Sequence, residues 1–208
     1  MGSHGQCNHD HDCGEADCGA AYSLYKHVDL PHVVCLNELE EGCCQKVFKP
    51  WSQRTDFSGG SLKSNEDDPE LLLHIPFTGS VTLKAFCIIG GPDGTSPSKV
   101  RAYINRDDLD FGSMEETAPL QEWSLQEDFR GVLEYPMQVF KFKGVYSLTL
   151  HFSENFGGDS SEVFFVGLKG EFSERNREAV EAVYEARALP KDHKVPGSEQ
   201  GNISRMGM

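Results

Sequence analysis

Several stretches of this chain alternate apolar and polar residues with a period of two, and such stretches can bury their apolar side chains together only as β-strands. In the clearest one, Val81, Leu83, Ala85, Cys87 and Ile89 fall on one face and Thr82 and Lys84 on the other, before Phe86 and Ile88. This reads as a strand whose second half is covered on both sides. Gly90-Gly91-Pro92-Asp93-Gly94 then ends it. Val100 to Ile104 alternates again, and Tyr146, Leu148, Leu150 and Phe152 share a face opposite Ser147, Thr149 and His151, which marks His151 as a solvated side chain. His74, in an apolar stretch beside Pro76, reads as a hydrogen-bonded structural residue. Val163 to Leu168 is apolar on both faces, as a central strand should be, and Met137 to Phe142 reads as one more short strand. Short strands separated by turn-rich loops predict an all-β sandwich rather than an α/β fold.

At 208 residues the chain suits one domain with tails, and the pattern places them at 1–19, 20–191 and 192–208. The first tail is rich in Gly, His, Cys and Asp without apolar periodicity, so disorder is expected there. Glu178 to Ala186 has a helix-friendly composition. The longest apolar run is far short of the roughly 20 residues of a membrane-spanning helix. A basic segment followed by an apolar one is missing at the N-terminus, which predicts a cytosolic and nuclear protein with all seven cysteines reduced. A net charge of −14 disfavours nucleic acid and anionic membranes as ligands.

The acidic surplus is concentrated. Asp107, Asp108, Asp110, Glu115, Glu116, Glu122, Glu127 and Asp128 lie in one stretch free of Lys and Arg. Its bland reading is a solvated loop that aids solubility; its functional reading is a docking surface for a basic partner, centred on Asp107, Asp108, Asp110, Glu115 and Glu116. His4, Cys7, His9, His11, Cys13 and Cys18 have the side chains that zinc and copper prefer, yet their spacing fits no structural zinc pattern, so neither a metal nor another cofactor is expected. No nucleophile elbow, P-loop or dinucleotide fingerprint is present. The chain reads as a non-enzymatic monomer.

Three separated strings carry a family resemblance. They are Val47-Phe48-Lys49-Pro50-Trp51 followed by Arg54 and Asp56; Glu66 to Leu72 leading into Ile75-Pro76-Phe77-Thr78-Gly79; and Asn155-Phe156-Gly157 through Glu171. In this order they resemble the PITH domain, a module also found at the C-terminus of a thioredoxin-like protein that associates with the proteasome. The Cys-x-x-Cys of that fused thioredoxin is absent, so the resemblance is to stand-alone members. It implies a galactose-binding-like jelly-roll sandwich, with an extended strand over 178–186. It also implies association with the 26S proteasome or a related regulatory assembly. Lys49, Trp51, Arg54 and Asp56 then become candidates for a contact surface, since exposed aromatic and Arg residues anchor interfaces; their structural reading is that they plug the end of the sandwich. The alternative function is a carbohydrate-like small-ligand module, with Trp51 or Trp123 as the platform for a ring.

Overall fold

The structure, a computed structural model, describes residues 22–173 apart from Asp67. Both expected tails, the His/Cys cluster and the 178–186 segment lie outside the described residues. The described chain forms β1 (Val34–Leu36), β2 (Leu62–Lys63), β3 (Leu71–Gly90), β4 (Pro97–Ile104), a short helix α1 (Phe111–Glu116), β5 (Gln121–Ser124), β6 (Tyr135–Pro136), β7 (Val145–Asn155) and β8 (Glu162–Ser173). All strand pairs are antiparallel, in the order β2-β8-β3-β7-β4-β5, with β1 and β6 also paired to β3.

β3 organises this network because its 20 residues take different partners in their two halves within one continuous eight-stranded sheet. Residues Leu71–Pro76 lie between β1 and β7; Ser80–Gly90 pair with β8, and Ala85 and Phe86 also with β6. The register against β7 breaks between Pro76 and Val81, where β3 exchanges its β1 neighbour for β8. Leu71, Leu73 and Ile75 from its first half and Leu83, Phe86 and Ile88 from its second then meet Leu148, Leu150 and Phe152 in one core. Phe86 and Phe152 are fully buried, and each such side chain contributes about 2–3 kcal/mol.

Three expectations need correction. Val81, Leu83, Cys87 and Ile89 do not share a face. Leu83 pairs with Gly170 but Ala85 with Lys169, so one extra residue sits in β3 at Lys84. Such a bulge reverses the alternation beyond it. Phe86 and Ile88 therefore turn into the main core, while Cys87 and Ile89 turn outward and pack with Phe165. Met137 to Phe142 is not a strand: Lys141 and Phe142 donate to the carbonyls of Gln138 and Val139, closing a turn. Finally, His151 is not solvated. It is 3% exposed because Phe111 of α1 packs edge-on against its ring, centroids 6.2 Å apart, while Nε2 lies 3.4 Å from Glu70 Oε2. The turn after β3 and the hydrogen-bonded His74 (Nδ1 to Thr149 Oγ1, 3.1 Å) agree with the sequence reading.

Burial holds the pKa of His151 and of His74 below the ordinary 6.5, outweighing the Glu70 and Asp107 carboxylates beside them. The fold thus favours both rings neutral. Once the pH falls below about 6.5, the unfolded chain binds more protons than the folded one, and stability is lost as pH drops further. The depressed carboxylates Asp108, Asp110 and Glu122 act lower, below about pH 4. The urea midpoint should therefore fall between about pH 7.5 and pH 5, and His151→Gln should reduce that fall. An unchanged midpoint in the wild type would mean that folding lowers the pKa of neither ring.

Candidate functional site

The sequence candidates Lys49, Trp51, Arg54 and Asp56 come together in one self-closed loop. Pro50 fixes the entry to a 3₁₀ turn, Trp51–Gln53, whose amides lead back as Gln53 N to Pro50 O at 2.8 Å and Asp56 N to Gln53 O at 2.9 Å. Lys49 Nζ donates to Asp56 O at 2.6 Å and so staples the ends. Burial lowers the Lys49 pKa, and the Ser58 side chain, followed by the Ser58 amide on Asp56 Oδ1, lowers that of the carboxyl.

The loop covers the outward face of β3 and β8 that the bulge creates. The Trp51 indole meets Phe165 edge-on with centroids 5.7 Å apart, above Cys87 and Ile89. Two cations lie over the same indole: Lys169 Nζ at 4.3 Å and Arg54 Cζ at 5.4 Å from the ring centroid. Lys169 is held there by Glu134 at 2.5 Å. Arg54 Nη1 donates to Trp51 O at 3.2 Å, while its buried Nε has no hydrogen-bond partner. Phe57, 41% exposed, extends the surface by packing on Phe164 with centroids 4.7 Å apart.

The fit depends on two glycines. A Cβ on Gly167 would lie 2.7 Å from Trp51 Cζ3, so only glycine lets the indole reach the strand. Gly131, at φ +68°, turns a second loop against Arg54 Cδ. Asp128 shapes that loop by accepting the amides of Arg130, Gly131, Val132 and Leu133 at 2.7–2.9 Å. Lys169, Glu134 and the Asp128 loop were missed from sequence because only the strand pairing brings them here. The glycine inside the apolar run Val163–Leu168 was the available signal.

The first part of the acidic stretch, Asp107 to Glu116, lies elsewhere, over the outer face of β3 and β7, while Glu122 stands on β5 and Asp128 in the loop beside Arg54; these carboxylates are less free than their composition implies. Asp108 binds Arg106 through both oxygens at 2.6 and 2.8 Å. Asp110 caps α1 by accepting the Ser113 amide at 2.7 Å, in a reciprocal capping box. Glu122 pairs with Arg101 at 2.7 Å, and Asp128 is 7% exposed in its turn. Asp107, whose side chain is 75% exposed, and Glu116 remain open, and the side chain of Glu115 is outside the described structure. Among the described residues, no hydrogen bond or ion pair joins this stretch to the Lys49–Asp56 loop.

Two further expectations meet the structure here. Trp123 offers no open platform: its Nε1 donates to Pro136 O at 3.0 Å and its ring packs on Phe86, centroids 4.9 Å apart. A polar pocket of about 430 Å³ at the loop tips is lined by Lys63, Glu66, Asp93 and Asp159, without either tryptophan. Cys35, Cys43, Cys44 and Cys87 are free and buried, and burial raises each thiol, Cys44 and Cys87 to about 12. None of the four is an activated nucleophile.

Comparison with known proteins gives a consistent picture. The PITH domain profile matches residues 14–188. PITH domain-containing protein 1 of Homo sapiens is 42% identical over 205 residues, covering 93% of this chain and 94% of that protein. Its counterpart in Dictyostelium discoideum is 39% identical over 189 residues, covering 91% and 93%. Among solved structures, the CBM32-1 and CBM32-2 domains of Clostridium perfringens ZmpB, in complex with GalNAc, match with a TM-score of 0.51 at 7% identity, over 73% of this chain and 36% of that one. That likeness concerns fold alone, and it agrees with the all-β sandwich read from the strand pattern and with the galactose-binding-like form that the family resemblance implies.

The Gly167 contact provides a direct check. In a Trp123→Phe background Trp51 is the sole tryptophan, since the chain has two. Gly167→Ala should then lift the indole off β8, shift its emission to longer wavelength and cost about 1–3 kcal/mol in denaturant unfolding. Unchanged emission would show that the indole does not rest on Gly167.

Proposed function

The chain belongs to the PITH domain family, and we propose that it is a non-enzymatic protein-docking module of the cytosol and nucleus that associates with the 26S proteasome or a related regulatory assembly. The observation that carries this reading is the Trp51 surface. Its aromatic residue is fixed between two cations by strand packing and a stapled loop, so little side-chain freedom is left to lose on binding. Anchors of this type, tryptophan with arginine, dominate the energetics of many interfaces. Four free buried cysteines suit a reducing compartment. The relatives carry the name of a domain rather than of a reaction, which fits a docking role.

The carbohydrate-like alternative is favoured by one feature, the polar loop-tip pocket. It is weakened by the absence of an aromatic platform among that pocket's lining residues. Its place is second.

Binding kinetics on immobilised, purified 26S proteasome test the first reading. Trp51→Ala should speed dissociation by about tenfold or more, and Trp51→Phe by less, because phenylalanine keeps a ring on β8. Neutralising Asp107 and Glu116, two of the open members of the acidic stretch, should instead slow association, and most strongly at low salt, since peripheral charges act on encounter. A dissociation rate unaffected by Trp51→Ala would remove the indole surface from the interface. Failure of the wild type to bind would remove the proteasome reading and promote the small-ligand one, which a glycan array then tests.

A further inference from the structure

β1 and the adjoining halves of β3 and β7 present a second outer face, and only part of it is covered. Strand register sets the rows: Val34 stands beside His74 and then Thr149, and Leu36 beside Leu72 and then His151. The segment from Arg106 through α1 covers the β7 end of these rows, where His151 is buried beneath Phe111. The β1 end is open. Val34 is 52% and Leu36 38% exposed, and between β1 and the 106–109 wall lies a groove of about 330 Å³, floored by Leu72 and His74 and closed by Leu109. β1 is an edge that pairs with β3 alone.

The groove's rim has a definite charge. Arg106 is engaged by Asp108, whereas Asp107 has no Lys or Arg partner among the described residues; its neighbours are His74 Nε2 at 3.8 Å and Ser147 Oγ at 3.4 Å. The groove therefore combines apolar side chains two residues apart on an edge strand with an open carboxylate. We propose that it is a docking site for an extended peptide segment whose residues alternate apolar and basic, with its apolar side chains against Val34, Leu36 and Leu72 and a Lys or Arg on Asp107. An extended segment laid in this groove turns alternate side chains to opposite sides, one set onto the apolar floor and the other toward the rim, so the groove selects for alternation. A second copy of this chain fits less well, because it would bring together two molecules of charge −14. An anionic lipid surface meets the same repulsion. The site is separate from the Trp51 surface, and the experiment below contains no proteasome, so each reading can fail without the other.

The test is fluorescence anisotropy of the full chain with a labelled acetyl-(Lys-Val)₄-amide peptide. Acetyl-(Glu-Val)₄-amide and acetyl-(Lys-Ser)₄-amide serve as controls. The first peptide should bind, and each control should bind at least about tenfold more weakly, because charge and apolar contact are both required. Leu36→Ser should weaken binding, and Asp107→Lys should invert the preference between the Lys and Glu peptides. Both positions are exposed, so thermal unfolding of each variant should match the wild type. Equal binding of the three peptides, or Asp107→Lys without effect, would overturn the proposal. So would light scattering that showed a dimer dispersed by Leu36→Ser, because the occupant would then be a second copy.

Discussion

The structure depends on how β3 is bonded. A strand paired on both edges, with different partners in its two halves, has no freedom to slide, and its internal irregularities dictate what the rest of the chain must cover. The bulge at Lys84 matters most. Without it Cys87 and Ile89 would continue the face of Val81 and Leu83 into the core. With it they face outward beside Phe165, and an apolar patch on an outer face must find cover or stay exposed. The Trp51 loop and the Asp128 loop supply that cover. The proposed docking surface is thus the outer side of a repair to the sandwich.

Magnitudes decide what places the indole. A cation near an aromatic face at a partly exposed site contributes about 0.5–1 kcal/mol, and an exposed ion pair such as Lys169–Glu134 about 0–1 kcal/mol. Burial of the apolar part of a tryptophan side chain against a strand is larger than either, about 2–3 kcal/mol or more. Packing on Gly167 and Phe165 therefore sets where Trp51 sits, and the cations shape the face it shows to solvent. That division lets the charges around the indole change with little effect on stability, which suits an interface whose affinity must be tuned.

Much of the sheet was legible because period two is a local property: β3, β4, β7 and β8 all lie where alternation or a doubly apolar run placed them. What stayed hidden depends on partners distant in sequence. A bulge adds one residue to a strand and leaves its composition untouched, so the inversion at Lys84 could not be read. His151 was correctly placed opposite Leu150 and Phe152, but alternation says nothing of what lies over that face, and α1 lies over it. Met137 to Phe142 imitates a strand because its first and last residues are buried, although its hydrogen bonds close locally. Of the candidate site, the Lys49–Asp56 loop was legible because its members are neighbours in sequence, whereas Lys169 and Glu134 reach it only through strand pairing.

The acidic stretch shows why a count of charges misleads. Asp110 and Asp128 serve backbone amides, and Asp108 and Glu122 serve arginines, so four of the carboxylates act on local geometry. A carboxylate that accepts several amides fixes a turn as firmly as a short strand would, and the Asp128 turn holds the wall beside Arg54. The open charge is consequently focused on a few points rather than spread as a field. At physiological ionic strength, exposed charges farther apart than about 8 Å hardly act together. Asp107 then works as a single contact beside an apolar groove, a role that selects the residue facing it, where a diffuse acidic surface would only attract basic proteins without choosing among them.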